Sequence, residues 1–422
     1  MLFDTNRSRR DFMQLSALGL GGLALSGWMP ALAANVAQNK RTHKSCILLY
    51  MDGGPSHKDT FDLKPGTKDG GEFKPIATSA TGVQISEHFA KLATHMHEGI
   101  LFRGMSTSEG AHGRARYYMH TGYREGVGGL TYPSMGAIVS SELGKEDFPL
   151  PNFVAIGGKS YGSGFLGARH QPLNVTNPAS GVEDLKAQVA GPQFAQRVGL
   201  LEQMEQSFFK EQGAATIKDH QTTYQRAVRM MQSAEAKAFD LSLEPSKSKS
   251  AYGSGRFADG VLMARRLVEV GIPFVEVSLG GWDTHMDNFD RVKSLSQQVD
   301  AALSALLTDL KERGLLESTL VVWMGDFGRT PKLNTRGAKP GRDHYPKAWT
   351  AAMFGGGIKG GQAIGKTDAE GATVVEGKTT AIDFMATVCT VLGIDPTKEN
   401  DTPIGRPIRI ADRGAKVVPG VI

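Results

Sequence analysis

The chain has 422 residues, 40% of them hydrophobic and 22% charged, and its formal net charge of +5 is spread along its length. This is ordinary globular composition with ample length for a large core. It contains no basic helix and no basic patch interleaved with aromatics, which argues against a nucleic-acid-binding protein. A mildly basic surface suits anionic substrates and equally serves solubility. There are two cysteines, Cys46 and Cys389, and no Cys-x-x-Cys, so thiolate zinc and redox chemistry are set aside. Both lie in apolar runs and read as buried core thiols.

Ser8-Arg9-Arg10-Asp11-Phe12-Met13 is a twin-arginine motif, followed by an apolar stretch from Leu15 to Trp28 and the small-residue site Ala31-Leu32-Ala33. Residues 1–34 are therefore expected to be a twin-arginine signal peptide and 35–422 one folded domain. The apolar stretch is short for a membrane span, and no later segment approaches the length of one. The expected destination is the periplasm or the exterior, through the twin-arginine export machinery, with no stable membrane span after processing. An uncleaved anchor is the alternative.

Strands and helices then alternate. The run Cys46 to Met51 is a strand, and Gly53-Gly54-Pro55 opens the loop after it. A second strand is expected at Gly99–Arg103, helices at His112–His120 and Ser134–Leu143, and a short strand at Asn152–Ile156. The stretch from about 193 to 240 is polar and helix-favouring, and reads as one or two surface helices, an inserted lid or cap. Phe257, Val261, Ala264 and Val268 fall at helical spacing ahead of a strand at Phe274–Leu279. Val292, Leu295, Val299, Leu303, Leu306 and Leu310 mark one long amphipathic helix that Gly314 stops. Strands follow at Leu320–Met324 and Thr350–Phe354, and a helix at Thr380–Leu392. The fold class is α/β, and alternating elements imply parallel pairing through right-handed crossovers.

Chemistry-bearing residues gather just past the strands, at the carboxyl edge where open α/β sheets build their sites. Asp52 ends the first strand, with Ser56 and His57 in the loop beyond. Gly, Pro, Ser and Asp are also turn residues in their own right. Asp283 and His285 alternate in an extended segment and so share a side, while Asp287 is placed to cap the next helix. Asp326 ends the late strand, and His344 follows at some distance. Arg329 offers a guanidinium matched to phosphate or sulfate oxygens, or a simple ion-pair partner for Asp326. His112 opens a helix after a strand, where backbone N–H groups favour anions. One cation would be held by Asp283, His285 and His344, and a second by Asp52, Asp326 and His112. Zinc suits the imidazole-bearing site better than manganese, calcium or magnesium.

The succession of motifs resembles the alkaline phosphatase and sulfatase superfamily. Leu320 to Asp326 is similar to that superfamily's late strand ending in a metal-binding Asp, and Arg116 to Thr121-Gly122 resembles the helix that follows the sulfatase nucleophile. More closely, Gly53-Gly54-Pro55-Ser56-His57 with Asp59-Thr60-Phe61-Asp62, Trp282-Asp283-Thr284-His285 and Gly325 to Pro331 resemble the twin-arginine-exported bacterial family known as domain of unknown function 1501. The resemblance implies an alkaline phosphatase-like three-layer sandwich with a mostly parallel central sheet. It also implies a metal-dependent hydrolase of phosphate or sulfate esters, acting on an anionic ester carried by an envelope glycan or small molecule. Two positions depart from the superfamily. Phe327 stands where a His or Asn usually follows the late Asp, and His112 occupies the nucleophile position. Catalysis would then fall to a metal-activated water, to Ser56 with His57, or to His112 itself. Otherwise the chain is a non-catalytic envelope protein binding a glycan, a metal or a protein partner.

Overall fold

The computed structural model describes residues 44–422 except 186–188, 190, 213 and 214. The twin-arginine segment, residues 1–34, lies outside the described residues. Eight strands form the main sheet: β1 Ser45–Met51, β2 Gly99–Met105, β3 Phe153–Ile156, β4 Leu173–Val175, β5 Phe274–Leu279, β6 Thr319–Gly325, β7 Trp349–Gly355 and β8 Gln362–Ile364. Their spatial order is β8-β2-β7-β6-β1-β5-β3-β4. The helices are α1 His112–Thr121, α2 Met135–Leu143, α3 Gly191–Gln212, α4 Ala215–Gln232, α5 Ser246–Tyr252, α6 Arg256–Glu269, α7 Asn288–Glu312 and α8 Ala381–Val391. Helices α3 and α4 thus form in the stretch read as helical.

Strand β1 is central and buried along its whole length, which is why it reads as a continuous apolar run rather than an alternating one. Its side chains nonetheless alternate between two cores. Ile47, Leu49 and Met51 pack with Val261, Val299 and Leu303 of α6 and α7. Cys46, Leu48 and Tyr50 face Met119, Ile138 and Val388 of α1, α2 and α8. One sheet covered by helices on both faces is a three-layer α/β sandwich. Both cysteines are free and buried in the second core. Burial pushes both thiols up, Cys389 to about 12.

Both neighbours of β1 run parallel to it. The late strand β7 departs from the parallel expectation, pairing antiparallel with both β6 and β2. A parallel return needs a crossover of a dozen or more residues, usually a helix. The connection from β6 to β7 holds no helix, only the two-residue pair Gly328–Arg329 and His344–Tyr345. The chain therefore turns back at the rim where β6 ends, with Trp349 beginning β7 opposite Met105, the end of β2. Everything between Asp326 and Ala348 stays on that rim, alongside the residues that follow β1 and β5.

A buried ion pair ties this excursion to the turn after β1. Arg342 Nε donates to Asp59 Oδ2 at 2.7 Å, and Asn288 Nδ2 donates to the same oxygen at 2.9 Å. Asp59 and Arg342 are both 0% exposed. Burial pushes the Asp59 carboxyl up, but the guanidinium and the bonds from its neighbours outweigh it and hold it low. The stability this gives is present above the ordinary carboxylate pKa of about 4 and is lost as pH falls through the lower, folded value. Replacing Arg342 by Ala leaves a buried unpaired charge. We expect a loss of about 3–5 kcal/mol of unfolding free energy at pH 7 by urea denaturation, shrinking as the pH is lowered through the acid range.

Candidate metal centre

Three segments deliver four side chains to one point on the rim. Asp283 follows β5, His285 lies two residues on, His344 precedes β7, and His112 opens α1. The three imidazoles turn their Nε2 atoms toward one carboxylate oxygen. From Asp283 Oδ1, the Nε2 atoms of His285, His344 and His112 lie at 3.1, 3.3 and 3.4 Å. His285 and His344 bring their Nε2 atoms within 3.0 Å of each other. His112, Asp283 and His344 place one donor atom each within 4.8 Å of one another. His112 Nε2 is buried and has no hydrogen-bond partner.

Each imidazole is held from behind through Nδ1. His112 bonds Asp326 Oδ2 at 2.5 Å, His285 bonds Asp343 Oδ1 at 2.7 Å, and His344 bonds the Gly110 carbonyl at 2.9 Å. A carbonyl or carboxylate oxygen only accepts, so each Nδ1 is a donor, while the Nε2 atoms face the Asp283 carboxylate, to which His344 Nε2 is within hydrogen-bond reach at 3.3 Å. Phe327, fully buried, stands behind two of the rings, 4.8 Å from both the His112 and the His344 centroid. The hydrogen bond to Asp326 pushes the His112 pKa up against its burial. Burial, together with Arg329 and His112, pushes His344 down.

Arg329 departs from the expectation of a substrate anchor. It is fully buried. Its Nε donates to the Gly54 carbonyl at 2.9 Å, and its Nη2 reaches Asp283 Oδ1 at 2.6 Å and the Gly53 carbonyl. Burial pushes Asp283 up, and the guanidinium with the facing imidazoles outweighs it and holds it low. Asp326 is likewise turned away from a ligand's position. Its Oδ1 accepts from the Tyr50 hydroxyl and its Oδ2 bonds His112. Asp52 points instead at Arg116, whose Nη1 lies 3.4 Å from Oδ2. The structure places Ser56 and His57 below the rim, both 1% exposed. His57 Nε2 bonds the Gly371 carbonyl at 2.7 Å. Asp287 starts α7 without a side-chain cap bond. Its φ of 53° lies outside the extended region that capping residues adopt.

Sequence reasoning missed Tyr50, Asp343 and the Gly110 carbonyl. Signals for the first two were present. Tyr50 precedes Asp52 by two residues and so shares its side of β1, and Asp343 adjoins His344.

The glycines of the first motif serve backbone packing. Gly53 has φ +109°, and a Cβ there would lie 2.4 Å from the Asp283 nitrogen. One on Gly54 would lie 2.4 Å from the Phe327 carbonyl oxygen.

Residues 43–422 match the model of a family described as protein of unknown function (DUF1501). The chain belongs to this family. No curated protein matches it. Among solved structures, it is similar to the PsFucS1 sulfatase from Pseudoalteromonas sp., at 14% identity and a TM-score of 0.40, over 87% of this chain and 71% of that one. It is also similar to the alkaline phosphatase of the Antarctic bacterium TAB5, at 14% identity and a TM-score of 0.34, over 84% and 99%. A third is the lipoteichoic acid synthase LtaP from Listeria monocytogenes, at 12% identity and a TM-score of 0.34, over 92% and 80%. Likeness at this level says nothing of chemistry, which has to come from this DUF1501 member's own donors.

Gly53→Ala is expected to lower the unfolding free energy by about 1–3 kcal/mol, because backbone must move to admit the methyl group. Gly280→Ala, with open space around its Cβ position, should stay within about 0.5 kcal/mol of the parent. Denaturation curves of both variants check the pair.

Proposed function

We propose that this protein is an exported metal-dependent hydrolase of phosphate or sulfate esters. The observation that carries the metal is the 3.0 Å approach of His285 Nε2 to His344 Nε2. In neutral rings with both Nδ1 atoms protonated, two lone pairs face each other there and repel unless a cation, a metal ion or a proton, lies between them. The buried, unpartnered Nε2 of His112 adds a third imidazole donor, 3.4 Å from Asp283 Oδ1. Donors bound at 2.0–2.1 Å around a tetrahedral ion lie about 3.3 Å apart, and the His285–His344 pair and the three pairs to Asp283 measure 3.0–3.4 Å. Imidazole-rich sites suit zinc, while manganese, calcium and magnesium prefer more oxygen.

His112, His285, His344 and Asp283 would hold the ion, which supplies Lewis acidity to an ester oxygen and acidity to water. Asp326 and Asp343 keep the imidazoles in the neutral tautomer with Nε2 free. Arg329 fixes Asp283. Arg329 also remains a proposed contact for the anionic group, although its donors are already engaged. Among the described residues, no Ser, Thr or Cys side chain bonds the imidazoles or Asp283, so water is the favoured nucleophile and Ser56, His57 and His112 as attacking or acid–base groups are secondary. A second ion at Asp52 and Asp326 would require both carboxylates to leave Arg116 and Tyr50. The substrate is an anionic ester, on an envelope glycan or a small molecule. Residues 1–34 support export by the twin-arginine machinery, and no described helix is long and apolar enough to cross a membrane.

The competing reading is a non-catalytic protein of the same architecture that binds a metal, a glycan or a protein partner. Phe327 and the missing hydroxyl nucleophile favour it.

Elemental analysis of the mature protein should find a divalent metal, with zinc first. Aryl phosphate or aryl sulfate should then be hydrolysed, and His344→Ala should abolish both metal retention and turnover. Metal-free protein with its fold intact would overturn the proposal, and metal without turnover would leave the binding reading. Asp326→Asn should weaken metal binding by about 10–100-fold, read by titration calorimetry, with the fold unchanged.

A further inference from the structure

The opposite rim of the sheet carries a second concentration of charge. Asn152 directly precedes β3, whose first residue pairs with Phe274 at the start of β5, whereas Asp283 follows the end of β5. The six residues of β5 separate the two rims, a span of roughly 20 Å. Beside Asn152 lies a pocket of about 520 Å³ walled by Lys145, Arg169, Arg226 and Arg229 against one carboxylate, Glu146.

That carboxylate is already engaged, with Arg169 Nη1 at 2.5 Å from Glu146 Oε1. Arg226 is half-buried, and among the described residues its one bond runs from Nη1 to the Ala168 carbonyl at 3.1 Å. Its charged neighbours are Arg169 and Arg229, and burial plus these two like charges push its pKa down. Arg229 is exposed and makes no hydrogen bond or ion pair among the described residues. The field is felt nearby, since burial together with Arg169 and Arg226 pushes the His170 pKa down as well.

Guanidinium groups gathered in a concavity without a free carboxylate repel one another, and the low-dielectric walls concentrate their field. An oxyanion removes the repulsion, and the planar fork of each arginine matches two oxygens of phosphate or sulfate. We propose that this pocket is an anion-binding site separate from the metal centre. Its ligand is a doubly charged oxyanion, phosphate or sulfate, either free or carried on a glycan. The assignment does not depend on the chemistry of the metal centre.

Calorimetric titration of the full chain at low ionic strength tests it, with inorganic phosphate, inorganic sulfate and a sulfated oligosaccharide as probes. His344→Ala serves as a parallel background in which the metal centre is disabled. Binding is expected in both backgrounds and should weaken as salt is added. Arg226→Gln with Arg229→Gln should reduce affinity by on the order of tenfold or more. Arg229→Gln alone, at an exposed side chain, should weaken it without touching the fold. Tighter binding of the oligosaccharide than of the free anions identifies a glycan as the source, and equal binding identifies the free anion. The proposal fails if no probe binds, if binding survives both arginine substitutions, or if it disappears in the His344→Ala background.

Discussion

One carboxylate oxygen organises this site. Asp283 Oδ1 takes the buried Arg329 guanidinium at 2.6 Å on one side and faces three imidazole Nε2 atoms within 3.4 Å on the other. Arg329 neutralises the carboxylate from below and leaves the upper face, where donors crowd, without a positive partner. Buried guanidinium is tolerable only because the carbonyls of Gly53 and Gly54 accept its remaining donors. The same contact therefore locks the loop after β1 against the loop after β5. A group so engaged orients a ligand residue more readily than it greets a substrate.

The chain reaches this arrangement by turning back at one rim. In an all-parallel sheet, the segment after β6 would have to cross to the far side and return before β7. Because β7 runs antiparallel, Asp326, Arg329, Asp343 and His344 all lie on a single excursion that never leaves the rim. Such an excursion has no ladder longer than the short pairing of Gly328–Arg329 with His344–Tyr345 to hold it, so its other anchors are specific. Arg342 grips Asp59 beneath it. Gly341 lies so close to His285 that a Cβ would sit 1.8 Å from the His285 carbonyl oxygen. Small residues and one buried ion pair do the work that a helix does in the ordinary crossover.

Much of this was legible in the residues. The apolar runs of β1, β5 and β6, the heptad-like spacing of α7 and the clustering of Asp and His past strand ends locate the layers and the rim. Asp283, His285, His344 and His112 do converge, with His112 turning Nε2 toward Asp283 and bonding Asp326 through Nδ1, away from Asp52. The direction of β7 was hidden because a short buried strand carries no mark of its orientation. Arg329 and Asp326 looked like surface groups of a site, yet both are buried, because a motif shows which atoms are available and not which already have partners. Gly53 and Gly54 mark the loop after β1, and the space beside them is taken by backbone. The short strands β4 and β8, with three residues each, are too brief to leave a pattern.

The polar residues under the cluster explain why Asp326 can act on His112 at all. Glu276 sits on the central strand β5 at 1% exposure, where a carboxylate is costly. Burial pushes its pKa up, and His120 and the Ser160 hydroxyl outweigh it and hold the group low. His120 Nε2 bonds it at 3.2 Å, and the His120 ring lies 4.5 Å from that of Tyr50. Tyr50 then gives its hydroxyl to Asp326, and Arg116 closes over the same ring at 5.0 Å. Each member is fixed by the next, from a strand in the middle of the sheet up to the imidazole at its edge. A hydrogen bond to a freely turning carboxylate would leave His112 able to rotate and bond water. One to a carboxylate pinned by Tyr50 leaves Nε2 a single direction, toward Asp283 and His344.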